Sequence, residues 1–182
     1  KNKENIMQYF KNWLKEKDNN KLIKDINYKI KSLYMNNEIK EVHEIFNSQW
    51  NQYIDLSYDN GSILEFAGLL KEFKEPGKAL KEIKFLLSHI ENKQNKDSTT
   101  INTNKEKYYN AIHNILLTAI NFNKKDILVY ITKEQALVEI DFNYANCALI
   151  TNCFPKNNSQ IKKEIFNYLI MECNLRRTPE IE

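Results

Sequence analysis

The chain contains very little glycine and proline, with three of each among its 182 residues. An all-β sandwich needs many tight turns, and these two residues are the ones that usually make them. The composition therefore argues against that class. Long segments rich in lysine, glutamate, isoleucine and leucine contain neither residue, which favours helices. The glycines, which are too scattered to form a phosphate-binding loop, are Gly61, Gly68 and Gly77.

Cysteine and histidine are equally scarce. The chain has Cys147, Cys153 and Cys173, and it has His43, His89 and His113. An odd number of cysteines without a zinc-site spacing indicates free thiols in a reducing compartment, packed as small apolar residues. The histidines fall in separate predicted helices, far apart in the sequence. We therefore predict no metal site, no cofactor and no catalytic residue in this chain.

The chain also lacks a large excess of charge of one sign and a long apolar run. Lysine and arginine number 27 and aspartate and glutamate 24, which gives a formal net charge of +3. The lysines alternate with acidic residues, as on solvated helix faces, whereas a nucleic-acid binder more often has a basic stripe. No apolar run approaches the roughly 20 residues that a membrane span needs. Nucleic acid is thus a disfavoured partner, and no membrane span or small-molecule substrate is predicted.

A phrase of seven residues occurs twice. Ile54-Asp55-Leu56-Ser57-Tyr58-Asp59-Asn60 matches Ile140-Asp141-Phe142-Asn143-Tyr144-Ala145-Asn146 at four positions, 86 residues apart. A short apolar helix is predicted after each copy. Four segments of predicted longer helices share the pattern lysine, acidic residue, isoleucine or valine, and they begin at Lys40, Lys81, Lys125 and Lys163. Two helices per unit at periods near forty residues predict stacked helix-turn-helix repeats, a solenoid.

The order of loop, short inner helix, turn and longer outer helix resembles a degenerate ankyrin repeat. Ile140-Asp141-Phe142-Asn143 stands where that family has valine-aspartate-x-asparagine, and Asn60-Gly61-Ser62-Ile63-Leu64 stands where it has asparagine-glycine-x-threonine-proline-leucine-histidine. The chain departs from the family in lacking Thr-Pro-Leu-His and the inter-helix Gly-His, and its units exceed the usual 33 residues. The resemblance, over residues 22–175, implies an all-α, ankyrin-like α-solenoid; helix-hairpin repeats of another kind are the alternative.

Taken in order, the periodicity predicts helices over residues 4–17, 21–34, 38–49, 62–73, 78–90, 106–121, 125–132, 146–153 and 161–173. Residues 1–20 are interpreted as an N-terminal capping helix, or alternatively as the tail of an upstream domain. Residues 21–175 form the repeats, with a polar insertion at 91–105, and residues 176–182 form a C-terminal tail. Ser62 and Glu65 suggest a capping box at a helix start, and Trp50 is predicted in the core.

The predicted loop tips carry aromatic and polar side chains, a combination that is common at protein interfaces. The candidate partner-binding residues are Tyr53, Asp55, Tyr58, Asp59, Asn143 and Tyr144. The alternative is structural, with Tyr58 and Tyr144 joining one repeat to the next.

The resemblance implies a non-enzymatic protein-protein interaction module that binds a protein partner on the concave face and loop tips. The abundance of asparagine and lysine is typical of AT-rich genomes, so a secreted effector is one interpretation. The expected location is then the cytoplasm, or the host cytosol for an effector. One alternative is a helical accessory or regulatory domain of a larger enzyme. A weaker one is an RNA-binding helical repeat.

Overall fold

The computed structural model describes residues 19–94, 101–153 and 163–173. Within these ranges the chain is helical and has no β-strand, which confirms the all-α prediction. The eight helices are α1 (Asn19–Met35), α2 (Ile39–Phe46), α3 (Ser62–Gly68), α4 (Lys78–Gln94), α5 (Ile101–Asn121), α6 (Lys125–Val129), α7 (Asn143–Cys153) and α8 (Lys163–Met171). Helix α6 continues into a π-helical turn, Tyr130–Glu134, and Gln49–Tyr53 is a 3₁₀ turn. None of the described helices is long and apolar enough to cross a membrane.

The helices lie in two rows. In the first row α1 packs on α3, α3 on α5, and α5 on α7. In the second row His43 of α2 meets Glu82 of α4, α4 packs on α6, and Thr132, just after α6, meets Tyr168 of α8. The hairpins α1–α2, α3–α4 and α5–α6 each take one helix from each row.

Apolar stripes at helical spacing hold the rows together. Helix α1 buries Leu22, Ile26, Ile30 and Leu33, each at most 4% exposed. The same spacing recurs on the other long helices, which bury Ile83, Leu86, Leu87 and Ile90 in α4 and Ile112, Ile115, Leu116 and Ile120 in α5. Burying one such side chain fully contributes about 1.5–3 kcal/mol, so the stripes supply most of the driving force. Trp50 is 8% exposed, which confirms its predicted place in the core.

The 86-residue spacing seen in the sequence recurs in the backbone. The α1–α2 turn has Asn37 in the left-handed conformation (φ 60°), and the α5–α6 turn has Asn123 there (φ 56°). Glu38 N–H donates to Leu33 O at 2.8 Å, and Lys124 N–H donates to Ala119 O at 2.8 Å. Both turns are Schellman motifs, in which asparagine replaces the more usual glycine. The first and third hairpins therefore turn in the same way.

Several predicted boundaries were wrong. Helix α3 ends at Gly68 rather than at residue 73. Phe73 lies beyond the helix end, is 94% exposed and does not continue the buried stripe. Helix α7 begins at Asn143 rather than at residue 146. The predicted polar insertion 91–105 is helical at both ends, since α4 extends to Gln94 and α5 begins at Ile101.

The predicted capping box at Ser62 was also wrong. Gly61 occupies the N-cap position, and Ser62 is the first helical residue. The buried Ser62 hydroxyl has no hydrogen-bond partner in the described part of the chain, and Glu65 approaches Asn114 of α5 instead. The predicted capping helix at 4–17 and the predicted tail at 176–182 lie outside the described residues.

A buried carboxylate links the first two hairpins. Glu82 of α4 is 3% exposed and accepts a hydrogen bond from the Tyr34 hydroxyl of α1 at 3.0 Å. His43 Nε2 of α2 lies 2.9 Å from the same carboxylate oxygen. Burial, and then the charge of Glu82, raise the pKa of Tyr34 far above its ordinary value, so the hydroxyl stays protonated and donates.

Replacing Tyr34 by phenylalanine tests this link. Tyr34→Phe removes one donor from a buried carboxylate, so we expect a loss of about 1–3 kcal/mol in the free energy of unfolding, measured by urea denaturation. The control is Tyr28→Phe on the same helix, where the side chain is 71% exposed and the change should stay within about 0.5 kcal/mol. Equal effects of the two substitutions would contradict the assigned role of the Tyr34 hydroxyl.

Candidate functional site

Two loops project along the first row of helices. Loop A comprises residues 54–61, and loop B comprises residues 138–144, which run into α7. Ile54 and Leu56 of loop A are buried, as is Val138 of loop B, so each loop is fastened to the core by apolar side chains. The first copy of the repeated phrase lies in loop A, and the second copy begins in loop B and runs into α7.

A buried polar side chain of the preceding hairpin fixes each loop. In the first copy, Asn27 of α1 accepts a hydrogen bond from the Asp55 N–H at 3.2 Å. Its carboxamide nitrogen donates to the carbonyl oxygens of Ile23 and of Tyr53, the latter at 3.3 Å. Because Asn27 is fully buried, every one of these hydrogen bonds replaces one to water.

Histidine takes the place of asparagine in the second copy. His113 of α5 accepts the Asp141 N–H on Nε2 at 2.8 Å and contacts the Tyr109 carbonyl oxygen through Nδ1 at 2.8 Å. This pattern requires the neutral tautomer that carries its proton on Nδ1. Asn27 and His113 are 86 residues apart and hold the same backbone group. His113 is fully buried, as Asn27 is.

The aspartates then fold the loops on themselves. Asp55 Oδ1 accepts the N–H and hydroxyl of Ser57 at 3.0 and 2.6 Å, and Lys107 Nζ lies 3.3 Å away. Burial raises the pKa of Asp55, but the Ser57 hydrogen bonds and Lys107 outweigh it, and the pKa lies below its ordinary value.

Asp141 repeats the arrangement in loop B. Its carboxylate accepts the Asn143 N–H at 3.0 Å and the Tyr109 hydroxyl at 3.2 Å. The Asn143 N–H is the main reason that the pKa of Asp141 lies below its ordinary value; burial opposes it and the Tyr109 hydroxyl assists. Both aspartates therefore stabilise the loops in which they lie through their own hydrogen bonds.

The other predicted site residues differ in exposure. Tyr58, Asp59 and Asn143 are exposed, and Asp59 pairs with Lys31 of α1 at 3.1 Å. Tyr53 is half-buried beside Trp50.

Tyr144 is half-buried, with its ring 4.6 Å from the His113 ring and 6.1 Å from the Tyr109 ring. Tyr144 thus packs loop B against α5, whereas Tyr58 is 36% exposed.

A groove follows the exposed side of α5 between the two loops. Its larger part is a cavity of about 400 Å³ lined by Lys105, Glu106, Tyr109, Asn110, Val138 and Glu139. Its smaller part, about 240 Å³, is lined by Asn60, Asn110, Asn114, Leu117 and Tyr144. Asn110 belongs to both. We call this the α5 groove; it contains one predicted site residue, Tyr144.

Sequence reasoning missed the asparagines of the groove. Asn110 and Asn114 are four residues apart, one helical turn, on the face opposite the buried stripe. That spacing describes any solvated helix face, so the sequence held no signal for a groove. The groove exists only because loop A and loop B stand on either side of α5.

A close backbone contact sets the loop A wall of the groove. Asp59, Asn60 and Gly61 are three consecutive residues in the left-handed region, with φ of 52°, 52° and 78°. A side chain at Gly61 would place its Cβ 2.6 Å from the Ala111 Cβ. Asn114 of α5 also donates to the Asn60 carbonyl oxygen at 3.1 Å. The strained backbone, which costs energy at the two non-glycine residues, is thereby held against α5.

Within the described ranges, no group of three histidine, cysteine, aspartate or glutamate side chains is placed to hold a metal ion. His43 and His89 lie on second-row helices and His113 on a first-row helix. Cys147 is exposed, contrary to its predicted burial, and the side chain of Cys153 is outside the described residues.

In comparisons with known proteins, no family model matches the sequence, and neither a curated protein nor a solved structure matches the chain.

The Gly61 contact predicts an unequal effect of two alanine substitutions. Gly61 and Gly77 both have positive φ, of 78° and 79°, but nothing lies within 4 Å of a Cβ at Gly77. Both variants pay for a left-handed alanine, about 1–2 kcal/mol, and only Gly61→Ala adds the clash with Ala111. We expect Gly61→Ala to lose at least about 1 kcal/mol more in chemical denaturation. Equal losses would show that loop A does not press on α5.

The lowered pKa values of Asp55 and Asp141 predict a loss of stability in acid. A carboxyl whose pKa falls on folding stabilises the fold above its unfolded pKa, about 4. That stabilisation disappears as the pH drops through the lower folded value. We expect Asp141→Asn to flatten the dependence of unfolding free energy on pH below about 4, measured by denaturation at several pH values. An unchanged slope would contradict the assignment, and Glu139→Gln, at an exposed side chain, serves as the control.

Proposed function

We propose that this chain is a non-enzymatic protein-binding module built from ankyrin-like helical repeats. The partner lies on the exposed face of the first row of helices and on loops A and B. The observation that carries the proposal is the α5 groove, which is bounded by loops A and B. These are two copies of one loop, 86 residues apart, and equivalent hydrogen bonds hold them. Repeats that present equivalent loops along one side create an extended binding surface.

The arrangement of the helices supports the ankyrin-like part of the proposal. Each described hairpin contributes one helix to each row, and neighbouring helices within a row contact one another, as in a solenoid. The anchoring side chains, Asn27 and His113, lie on first-row helices and reach the following loop. The sequence still departs from the family motif, so the proposal rests on the repeated geometry and on the loop phrase.

The exposed face also has the composition of a binding surface. Tyr58 and Tyr28 are 36% and 71% exposed, and the Lys31 ammonium lies 5.3 Å from the centre of the Phe66 ring. Exposed tyrosines combine apolar area with a hydroxyl and are enriched at interfaces. The proposed location is a reducing cytosol, where exposed thiols such as Cys147 persist.

Affinity capture with matched baits tests the proposal. The wild-type chain, Tyr58→Ala and Phe73→Ala are immobilised at equal thermal stability and exposed to cytosol. Phe73 is the control because it is 94% exposed in the α3–α4 connection, away from loops A and B. We expect one protein to be retained near one-to-one by wild type and Phe73→Ala. Retention by Tyr58→Ala should fall about tenfold, as for an interface residue that contributes about 1.4 kcal/mol.

Two results would overturn the proposal. Retention of no protein by the wild-type chain removes the binding function. Retention that depends on Phe73 and not on Tyr58 places the contact elsewhere than on the loop side of the first row.

A further inference from the structure

We propose that the α5 groove takes an extended peptide segment of the partner, in which a basic residue stands beside a large apolar one. This inference rests on the proposed function and names the partner's chemistry at the site. The peptide main chain lies on Asn110 and Asn114, the apolar side chain enters the larger cavity, and the basic side chain meets the acidic rim.

The two asparagines match the main chain of an extended peptide. A carboxamide has an acceptor and two donors, the same groups that a peptide unit presents. Residues four apart on a helix are separated by about 6 Å along its axis. Equivalent peptide groups in an extended chain recur every two residues, about 6.6–6.8 Å. Asn110 and Asn114 are therefore spaced to meet one peptide group each on the same side of the strand.

The carboxamides have hydrogen-bonding capacity to spare. Asn110 is exposed, and its side chain makes no hydrogen bond within the described ranges. Asn114 donates to the Asn60 carbonyl oxygen at 3.1 Å and lies 3.4 Å from Glu65, which orients its amide and leaves its carbonyl oxygen as an acceptor for the peptide. The loop A contact thus presets one of the two recognition groups.

The larger cavity suits an apolar anchor. At about 400 Å³ it lies at the lower end of the range of ligand pockets, large enough for one bulky side chain. Tyr109 and the buried Val138 supply its apolar wall. The Tyr109 ring is held in place by its hydroxyl, which donates to Asp141 at 3.2 Å, and by the His113 ring at 4.2 Å. A rigid wall of this kind favours a defined side chain over a diffuse contact.

The charge of the rim selects a basic residue. Glu106 and Glu139 line the larger cavity together with Lys105, and Glu65 approaches Asn114 at the other end. The nearby lysines Lys107 and Lys31 are already paired, with Asp55 and Asp59. The charged residues that line the larger cavity, two glutamates and one lysine, therefore leave one net negative charge there, in a chain whose net charge is +3. Such local complementarity attracts lysine or arginine and repels nucleic acid.

Panning a library of random twelve-residue peptides displayed on phage against the full chain tests the inference. We expect enriched clones that place lysine or arginine next to a large apolar residue. A synthetic peptide with the sequence of an enriched clone should bind the Asn110→Ala variant at least tenfold more weakly than the wild-type chain, as measured by isothermal titration calorimetry. Asn110→Ala is preferred to a change at Asn114, because Asn114 also holds loop A. Phe73→Ala, with its 94% exposed side chain outside the groove, should bind as wild type does.

Two further measurements separate the main-chain and charge components. A series of peptides, each N-methylated at one peptide bond, maps the main-chain contacts. We expect binding to weaken about tenfold at two of these bonds, which lie two residues apart, and to change little at the others. Glu106→Gln with Glu139→Gln should weaken binding and reduce its dependence on salt. Equal binding to all N-methylated peptides would contradict main-chain recognition, and a preference of the library for acidic residues would contradict the charge assignment.

The results also distinguish this inference from the proposed function. Tyr58-dependent capture of a protein, with no peptide enriched, overturns the extended-peptide inference and leaves the binding module intact. Failure of both experiments overturns both. Self-association of the chain that disappears in Asn110→Ala, measured by sedimentation, would assign the groove to a second copy and overturn the inference.

Discussion

The backbone N–H of the aspartate in each loop, Asp55 or Asp141, needs a hydrogen-bond acceptor inside the protein, and the rest of the site depends on the side chain that supplies it. A loop that lies outside the helices has no regular backbone hydrogen-bond partner for this N–H group. Asn27 and His113 each provide the acceptor from the middle of a first-row helix. The same side chains donate to carbonyl oxygens one turn earlier in their own helices. A single buried residue therefore fixes the position of a loop relative to the helix beneath it.

These two anchors also determine the shape of the α5 groove. Once Asp55 is placed, loop A turns through its left-handed residues and reaches Ala111, where only glycine at residue 61 permits the contact. Once Asp141 is placed, its carboxylate holds Tyr109 and starts α7, and Tyr144 packs on the His113 ring. The two walls of the α5 groove are thus the two loops, and its floor is the part of α5 that neither of them covers.

Most of the helices could be predicted from the sequence, because their apolar stripes are long and regular. The repeated loop phrase was also visible, since isoleucine, aspartate, tyrosine and asparagine recur at fixed positions. The anchoring residues could not be found in this way, because asparagine and histidine do not look alike in a sequence. Their equivalence lies in the geometry of their acceptor atoms, Oδ1 and Nε2. The capping box predicted at Ser62 was wrong for a different reason. The local motif was present in the sequence, but in the structure Glu65 lies beside Asn114 of α5 and does not cap the helix.

The distribution of contacts between hairpins has a mechanical consequence. The first two hairpins share the buried Tyr34–Glu82–His43 cluster, and the connection after α6 meets α8 through Thr132 and Tyr168. Between the second and third hairpins, the ion pairs of the second row and the adjoining turns are more open to water, with Lys84 and Glu134 3.5 Å apart and Lys124 and Glu72 also 3.5 Å apart. In the first row, however, Asn114 of α5 donates to Asn60 and Glu65, and Gly61 packs closely on Ala111. These contacts join loop A directly to the helix that carries the anchor of loop B. The separation of the two loops is therefore fixed by the packing of loop A and α3 on α5, and the second and third hairpins cannot shift against each other without breaking hydrogen bonds at the wall of the groove.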